Sequence, residues 1–335
     1  MEQPFARVRY IPSADELIDL AFRRASKVSP SLPKRADGKV KVRIKERSRI
    51  STAGRILSSR LQRIVQEMPD LDRIHPFYRE LADVLVGVGE LKRCLGAMKW
   101  ASEMVQRLSE RYARRERHAR SIGEAAQLRR EAYGRMASIV KQVSDELEFL
   151  RNARSQLVKL PSIDPNLPTI VVAGYTNVGK STLVKAVSSA KPAVASYPFT
   201  TKSIIVGHTK TPTGVVQVID TPGLLDRPLS QRNRIELQAI LALKHLAKAI
   251  IFLFDPSTTC GYPLENQINL YLEVKRSFSD IPIIPAANKV DIVDDDDLKA
   301  LGSAVQEPIM KVSALKGFGV REVFEEALSR MRLGG

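Results

Sequence analysis

The chain has 335 residues and a formal net charge of +16, with 44% apolar and 27% charged residues. This length favours two domains, and the apolar fraction excludes an intrinsically disordered protein. The longest apolar run, residues 249–254, is too short to cross a bilayer, and the amino terminus lacks the apolar core of a signal peptide. Cys94 and Cys260 lie far apart, as expected for plain thiols in a reducing compartment. We therefore expect a cytoplasmic protein.

The positive charge is concentrated in the first half of the chain. Residues 1–165 contain 34 Lys and Arg against 21 Asp and Glu, whereas residues 166–335 contain 19 against 16. Solvated helix faces are the simplest explanation of such charge, but the asymmetry favours a polyanionic partner. Few aromatic residues interrupt the basic segments, so contacts to RNA phosphates and to RNA shape are favoured over base stacking.

The first half predicts an all-α helical bundle. Ser13 and Glu16 form a capping-box pattern at the start of one helix. The basic segment 39–49 alternates charged and β-branched residues and fits a short strand or an extended edge, whereas residues 51–67 predict a helix. Other helices are predicted from residue 76, within residues 91–120 and along one face marked by Met136, Val140, Val143, Leu147 and Leu150.

Three prolines in residues 161–168 predict a domain boundary, which divides the chain into residues 1–160 and 161–335. The second half alternates strands and helices, as a doubly wound, mostly parallel α/β sheet does. The predicted strands are 169–173, 203–208, 215–220, 249–255, 281–286 and 310–313, and the predicted helices are 180–189, 234–246, 264–278 and 320–331.

A phosphate-binding loop joins the first predicted strand of the second half to its helix. It has the pattern G-x-x-x-x-G-K-S/T and consists of Gly174, Tyr175, Thr176, Asn177, Val178, Gly179, Lys180, Ser181 and Thr182. The glycines let successive backbone N–H groups face one phosphate, and the helix N-terminus adds a positive dipole. Lys180 is predicted to reach the β- and γ-phosphates, and the Ser181 hydroxyl to bind Mg²⁺.

Two further segments are expected to respond to the γ-phosphate. A threonine of the segment 198–201 could close on Mg²⁺ and the phosphate. The motif Asp220-Thr221-Pro222-Gly223 ends a predicted strand. Asp220 is predicted to hold Mg²⁺ through water, and the Gly223 N–H to sense the γ-phosphate.

A second pair of motifs predicts that the base is guanine. In Asn288-Lys289-Val290-Asp291, the Asp291 carboxylate matches the two N–H donors on the guanine edge, a pair that adenine does not offer. Lys289 is expected to pack along the base, and Ser313-Ala314-Leu315 to donate a backbone N–H to guanine O6. Motifs in this order predict a P-loop GTPase that binds GTP or GDP with Mg²⁺.

Two other features affect the chemistry. Leu224 follows the D-x-x-G motif, where many GTPases place the glutamine that orients the attacking water, so slow intrinsic hydrolysis is expected. The run Asp294–Asp297 could form a metal cluster, but it fits an acidic helix N-terminus better.

The motifs together resemble the nucleolar GTP-binding protein (Nog) family of the Obg-like GTPases. The resemblance rests on residues 174–182, 197–208, 220–226 and 288–291 in the second half, and on residues 72–78, 133–136 and 160–166 in the first. The absence of the long C-terminal extension of the eukaryotic members makes the chain similar to a compact, archaeal-type member, for which a nucleolus is excluded.

The resemblance carries implications for the site and for the partners. It implies Thr201, rather than Thr200, as the residue that senses Mg²⁺. It also implies that Asn177 binds an activating K⁺, although an Asn that only stabilises the loop through local hydrogen bonds fits equally well. Lys180, Thr201, Gly223 and Asn177 are then the catalytic candidates.

The expected function is a GTP-hydrolysing switch that assists assembly of the large ribosomal subunit. Its basic helical domain is expected to bind ribosomal RNA or a subunit precursor, with no DNA and no membrane as partner. The alternatives are a GTP sensor in which hydrolysis is incidental and a regulatory GTPase that acts on a protein or membrane partner.

Overall fold

A computed structural model describes residues 3–33, 35, 37–198 and 203–333. The α-helices in these ranges are α1 Ala14–Ser26, α2 Gly38–Glu67, α3 Pro76–Val86, α4 Val88–Glu116, α5 Ile122–Gln142, α6 Ser144–Leu157, α7 Lys180–Val187, α8 Arg234–Leu241, α9 Leu264–Ser277, α10 Asp295–Val305 and α11 Val320–Leu333. The strands are β1 Thr169–Ala173, β2 Ala193–Ala195, β3 Ile204–Thr211, β4 Gly214–Asp220, β5 Ala247–Phe254, β6 Ile283–Ala287 and β7 Met310–Lys311.

The chain forms two compact units. The helical unit comprises Pro4–Leu71 and Val86–Val158, and the sheet unit comprises Met1–Gln3, Asp72–Leu85 and Lys159–Gly335. Most of α3 therefore belongs to the sheet unit. The predicted boundary at residues 160/161 instead assigns all of α3 to the first domain.

Tyr78 explains why α3 packs with the sheet unit. Its hydroxyl lies 2.9 Å from the Pro161 carbonyl oxygen and 3.0 Å from the Ile163 N–H, and it is buried. Phe77 is also fully buried, and its ring lies 6.4 Å from that of Tyr197. These contacts join residues more than 80 positions apart, so no local pattern announces them.

The described residues of the helical unit form a bundle of five helices, and the capping box at the start of α1 is confirmed. Residues 39–49 are not a strand, because α2 is one continuous helix from Gly38 to Glu67. Ile50, Leu57, Leu61 and Ile64 form a buried stripe along it. The packing of that face outweighs the local alternation of β-branched residues.

The predicted stripe from Met136 to Leu150 spans two helices rather than one. Helix α5 ends at Gln142 and α6 begins at Ser144, with Val143 between them at φ −108° and ψ 24°. The Val143 N–H donates to the Val140 carbonyl, three residues back, which tightens the chain at this point. All five residues of the stripe are nevertheless buried, so the prediction of bundle packing is confirmed.

The sheet unit confirms the doubly wound α/β fold. Its seven described strands lie in the order β2-β3-β4-β1-β5-β6-β7. Strands β4, β1, β5, β6 and β7 pair in parallel, while β2 and β3 add an antiparallel edge on the side of β4. The short strand β2 was not predicted. In the ranges given above, no helix combines the length and the apolar character needed to cross a bilayer.

Parallel strands bring their carboxyl ends to one edge of the sheet, and ligands of such folds bind there. The phosphate-binding loop follows β1, the D-x-x-G motif begins at the last residue of β4 and the N-K-x-D motif follows β6. The Asp294–Asp297 run begins α10, as predicted for an acidic helix N-terminus. The residues that the structure describes contain no cluster of three or more metal-ligating side chains.

Candidate nucleotide-binding site

The two glycines of the phosphate-binding loop are required by the backbone. Gly174 has φ +129°, and a Cβ there would lie 2.4 Å from the Leu253 carbonyl oxygen. Gly179 has φ +102°, and a Cβ there would lie 2.2 Å from Asn288 Nδ2. Any side chain at either position would collide with the strand end or with the N-K-x-D motif, so the loop can curl only with glycine.

Lys180 is buried although it carries a charge. Its Nζ donates to the Gly174 carbonyl at 2.7 Å and to the Tyr175 carbonyl at 2.6 Å. These bonds hold the ammonium group against the loop from the first turn of α7. The structure therefore places a positive charge beside the carbonyl groups of the phosphate-binding loop.

Ser181 and Asp220, two of the residues predicted to bind Mg²⁺, adjoin one another. Ser181 Oγ donates to Asp220 Oδ2, and Asp220 Oδ1 is buried with no hydrogen-bond partner among the described residues. Burial raises the pKa of Asp220, against the hydrogen bond from Ser181 and the charge of Lys180. A buried carboxylate oxygen beside a hydroxyl fits Mg²⁺, which binds hard oxygen ligands. Thr200 and Thr201 lie outside the described residues.

The Gly223 N–H, predicted to sense the γ-phosphate, donates to Asp226 Oδ2 at 2.7 Å. Arg232 Nη2 donates to the other oxygen of Asp226 at 3.2 Å and to the Leu224 carbonyl at 2.9 Å. The side chains of Arg232 and Asp226 are only 3% and 6% exposed. A buried ion pair thus fixes the loop after β4 and supplies an anion to the N–H that a phosphate would use.

Asn288 links the phosphate site to the predicted base site. Its Nδ2 donates to the Val178 carbonyl in the phosphate-binding loop at 2.7 Å. Its Oδ1 accepts from the Ala314 N–H at 2.9 Å. The buried amide therefore holds the loop after β1 and the segment after β7 in a fixed spacing.

The two other functional side chains of this motif have separate partners. Lys289 Nζ lies 2.7 Å from Asp255 Oδ2 and 2.8 Å from Thr259 Oγ1. Burial would raise the pKa of Asp255, but hydrogen bonds from Lys289 and Ser257 outweigh it and lower the pKa. Asp291 is exposed, and a hydrogen bond from Ser313 lowers its pKa. The Asp291 carboxylate is therefore ionised and open to a ligand.

Asn177 is exposed, with its backbone in the left-handed region at φ 61°. Its side chain makes no hydrogen bond to any described residue. Asparagine tolerates the left-handed region better than most residues, which is a further reason for its presence.

Other predicted residues contribute backbone or packing rather than side-chain chemistry. Tyr175 and Leu224 are buried, and the centroid of the Tyr175 ring lies 4.3 Å from that of Tyr262. Thr221 Oγ1 donates to the Val172 carbonyl at 2.8 Å. The half-buried residues are Thr176, Pro222 and Val290; Thr182 and Leu315 are exposed.

The sequence analysis assigned no role to Asp226, Arg232 or Asp255. Asp255 directly follows β5, and a polar residue at the carboxyl end of a buried strand is a signal that could have indicated it. No comparable signal exists for Arg232, because its burial depends on the fold of the whole loop.

Comparison with known proteins agrees with this architecture. Residues 5–164 match the model of the NOG1 N-terminal helical domain, and residues 234–291 match that of nucleolar GTP-binding protein 1 (NOG1). An uncharacterized protein of Methanocaldococcus jannaschii is 45% identical over 88% of this chain and 83% of its own length. The chain belongs to the nucleolar GTP-binding protein 1 family.

Two further relatives bear that family name. Nucleolar GTP-binding protein 1 of Drosophila melanogaster is 36% identical over 98% of this chain and 51% of its own length. The chain thus spans about half the length of this eukaryotic relative. A crystal structure of nucleolar GTP-binding protein 1 from Plasmodium falciparum shares 37% identity, covers 52% of this chain and 91% of its own, and has a TM-score of 0.45.

Proposed function

We propose that this protein is a GTP-hydrolysing switch whose basic helical unit binds ribosomal RNA or a precursor of the large ribosomal subunit. The observation that carries the nucleotide part is the position of Asn288, whose amide joins the phosphate-binding loop to the segment after β7. One buried side chain would thus fix the spacing between the proposed phosphate site and the proposed base site. Membership of a family of GTP-binding proteins supports guanine as the base.

In the proposed reaction, a water oxygen attacks the γ-phosphorus, the bond from the γ-phosphorus to the β–γ bridging oxygen breaks, and GDP and phosphate leave. Lys180 would move its hydrogen bonds from the loop carbonyls to phosphate oxygens and stabilise their charge. Ser181 and Asp220 would hold Mg²⁺, which neutralises charge on the β- and γ-phosphates. Because the buried Leu224 cannot orient water, intrinsic hydrolysis is slow in this proposal.

The Gly223 N–H has a single hydrogen, which Asp226 accepts in this structure. A γ-phosphate oxygen that binds this N–H has to displace the Asp226 carboxylate. GTP, unlike GDP, would therefore rearrange the loop that Arg232 holds through Leu224 and Asp226. This exchange of acceptors would be the switch, and the closing of Thr201 on the nucleotide belongs to the same proposal.

The decisive test of the base is Asp291→Asn. Guanine donates two N–H groups to a carboxylate, whereas xanthine has a carbonyl in place of the amino group and suits an amide. We expect GDP affinity to fall at least about a hundredfold and xanthosine diphosphate to bind in its place, measured by calorimetry. Asp296→Asn, on an exposed residue of α10, is the control. Unchanged GDP affinity in Asp291→Asn would refute the guanine assignment.

K⁺ binding at Asn177 is the finer part of the proposal. If Asn177 binds the ion, hydrolysis is faster in KCl than in NaCl, and Asn177→Gly, which tolerates the same backbone, removes the difference. Equal rates in both salts would argue against it. Stimulation by large ribosomal subunits, measured in the same assay, distinguishes a hydrolysing switch from a GTP sensor in which hydrolysis is incidental.

A further inference from the structure

A cleft of about 540 Å³ lies between α2 and α4 in the helical unit. Its walls carry Arg47 and Arg55 from α2, and Arg114 and Arg117 from the end of α4. Three of these arginines are exposed and Arg47 is half-buried. Serine and glutamine side chains occupy much of the remaining lining, and no aromatic residue contributes.

The close approach of the two helices explains why both sets of arginines face one cleft. A Cβ on Gly54 of α2 would lie 2.2 Å from Ser109 Cβ of α4, so only glycine fits there. Close by, the buried Ser102 hydroxyl donates to the Ser58 carbonyl at 2.9 Å. Small residues thus bring the backbones together beneath the cleft, and the long arginines lie along its sides.

The α2 wall repeats donors at a regular spacing. Arg47, Ser51, Arg55 and Ser59 are four residues apart and lie on one helix face. Each step advances about 6 Å along the helix axis, since the rise is 1.5 Å per residue. The row therefore offers a series of hydrogen-bond donors to a linear chain of acceptors.

The guanidinium groups of these four arginines make no hydrogen bond or ion pair to any described residue. One carboxylate, Glu110, lines the same cleft, and it accepts from Gln106 Nε2 at 3.2 Å. Elsewhere in the bundle arginines are neutralised locally, as Arg49 and Arg129 are by Glu46 at 2.8 and 2.5 Å. The cleft thus has a clear excess of positive charge.

We infer that the α2–α4 cleft binds the phosphate backbone of RNA, an inference that rests on the proposed RNA docking of the helical unit. Arginine fits phosphate oxygens through paired donors, and Ser and Gln side chains are common additional donors to phosphates. No aromatic residue lines the cleft, so it offers no aromatic ring on which a base could stack, and phosphate contacts are favoured. The lack of a large apolar patch makes the cleft less suited to a folded protein partner.

The test compares two triple variants of the full chain that remove the same charge. The cleft variant is R55Q/R114Q/R117Q, and the control is R24Q/R130Q/R135Q, on exposed arginines outside the cleft. Binding of a fluorescein-labelled ribosomal RNA hairpin is followed by anisotropy across a series of KCl concentrations. Polyglutamate and phosphatidylserine vesicles are alternative probes, and thermal melting monitors the fold.

We expect the cleft variant to bind RNA at least about tenfold more weakly than the unaltered chain. The slope of log affinity against log KCl concentration should become shallower by about 2 to 3, because each lost phosphate contact removes about 0.7 to 0.9 from it. The control variant should change the slope by less than about 1.

Equal losses in both variants would overturn the cleft assignment while RNA docking stands. If the unaltered chain binds no RNA, the RNA part of the proposed function itself fails. The inference would also be overturned if the cleft variant lost binding of polyglutamate or vesicles while its RNA binding did not change. The cleft would then serve another partner.

Discussion

The two units use their charges in opposite ways. The helical unit contains 31 Lys and Arg against 16 Asp and Glu, whereas the sheet unit contains 22 against 21. In the nucleotide site Lys180, Arg232 and Lys289 each have short hydrogen bonds to nearby oxygens. In the α2–α4 cleft the arginines have none among the described residues. Charges that are held in place can orient a small ligand, while unneutralised charges suit an extended polyanion.

We expect the largest effect, on the rate of GTP hydrolysis, from removing the buried ammonium group of Lys180. Lys180→Ala should lower the GTP hydrolysis rate at least about a thousandfold, because the substituted loop no longer supplies a cation to the phosphates. Phosphate release at saturating GTP measures the rate. Lys185→Ala, on the exposed side of the same helix, is the matched control. Equal activity in the two variants would mean that the buried lysine is structural and that the two units do not differ in how they use their charges.

A buried acid provides an intermediate effect within the helical unit. Glu116 is fully buried with no hydrogen-bond partner for either carboxylate oxygen among the described residues. Burial, together with Glu46 and Glu124, raises its pKa to about 7. As pH rises from about 4.5 to 7, the unfolded chain loses this proton first, so the free energy of unfolding falls across that window and stays lower above it.

Glu116→Gln should therefore raise the free energy of unfolding by about 2 kcal/mol at pH 8 and change it little at pH 4. Urea denaturation at the two pH values measures this difference. Glu110→Gln, at an exposed position of the same helix, should show no such pH dependence. A destabilising effect of Glu116→Gln at pH 8 would show instead that the carboxylate is held charged by Arg43 and Arg129.

We expect the smallest effect on the ratio of the GTP affinity to the GDP affinity. In Asp226→Asn an amide replaces the carboxylate that accepts from the Gly223 N–H, and this bond weakens or is lost. A γ-phosphate then has a weaker competitor. We expect a non-hydrolysable GTP analogue to bind about fivefold more tightly relative to GDP, as one bond to a charged acceptor predicts.

Calorimetric titration of both nucleotides checks this ratio, with Asp280→Asn at an exposed site as control. A ratio that does not move would mean that Asp226 serves only to hold Arg232. The charges of Asp226 and Arg232 would then both be structural, in contrast to the unneutralised arginines of the helical unit.

The sequence alone determined the motifs and most elements of the sheet unit. The phosphate-binding loop, Asp220, Asn288 and Asp291 follow local rules, because glycine-rich turns and apolar strands leave short and specific patterns. The mostly parallel sheet, the acidic start of α10 and the buried stripe of α5 and α6 were predicted in the same way. The excess of positive charge in the first half was also readable from composition.

Features that depend on distant partners follow from the tertiary structure and not from local sequence. The continuous α2 helix arises because its buried face packs in the bundle, which outweighs the alternating pattern at its start. Tyr78 joins α3 to the sheet unit through carbonyls over 80 residues away. Asn288 and Arg232 acquire their roles from groups that the fold brings within hydrogen-bond distance. Burial and long-range hydrogen bonds set these positions, and neither is encoded in a short stretch of sequence.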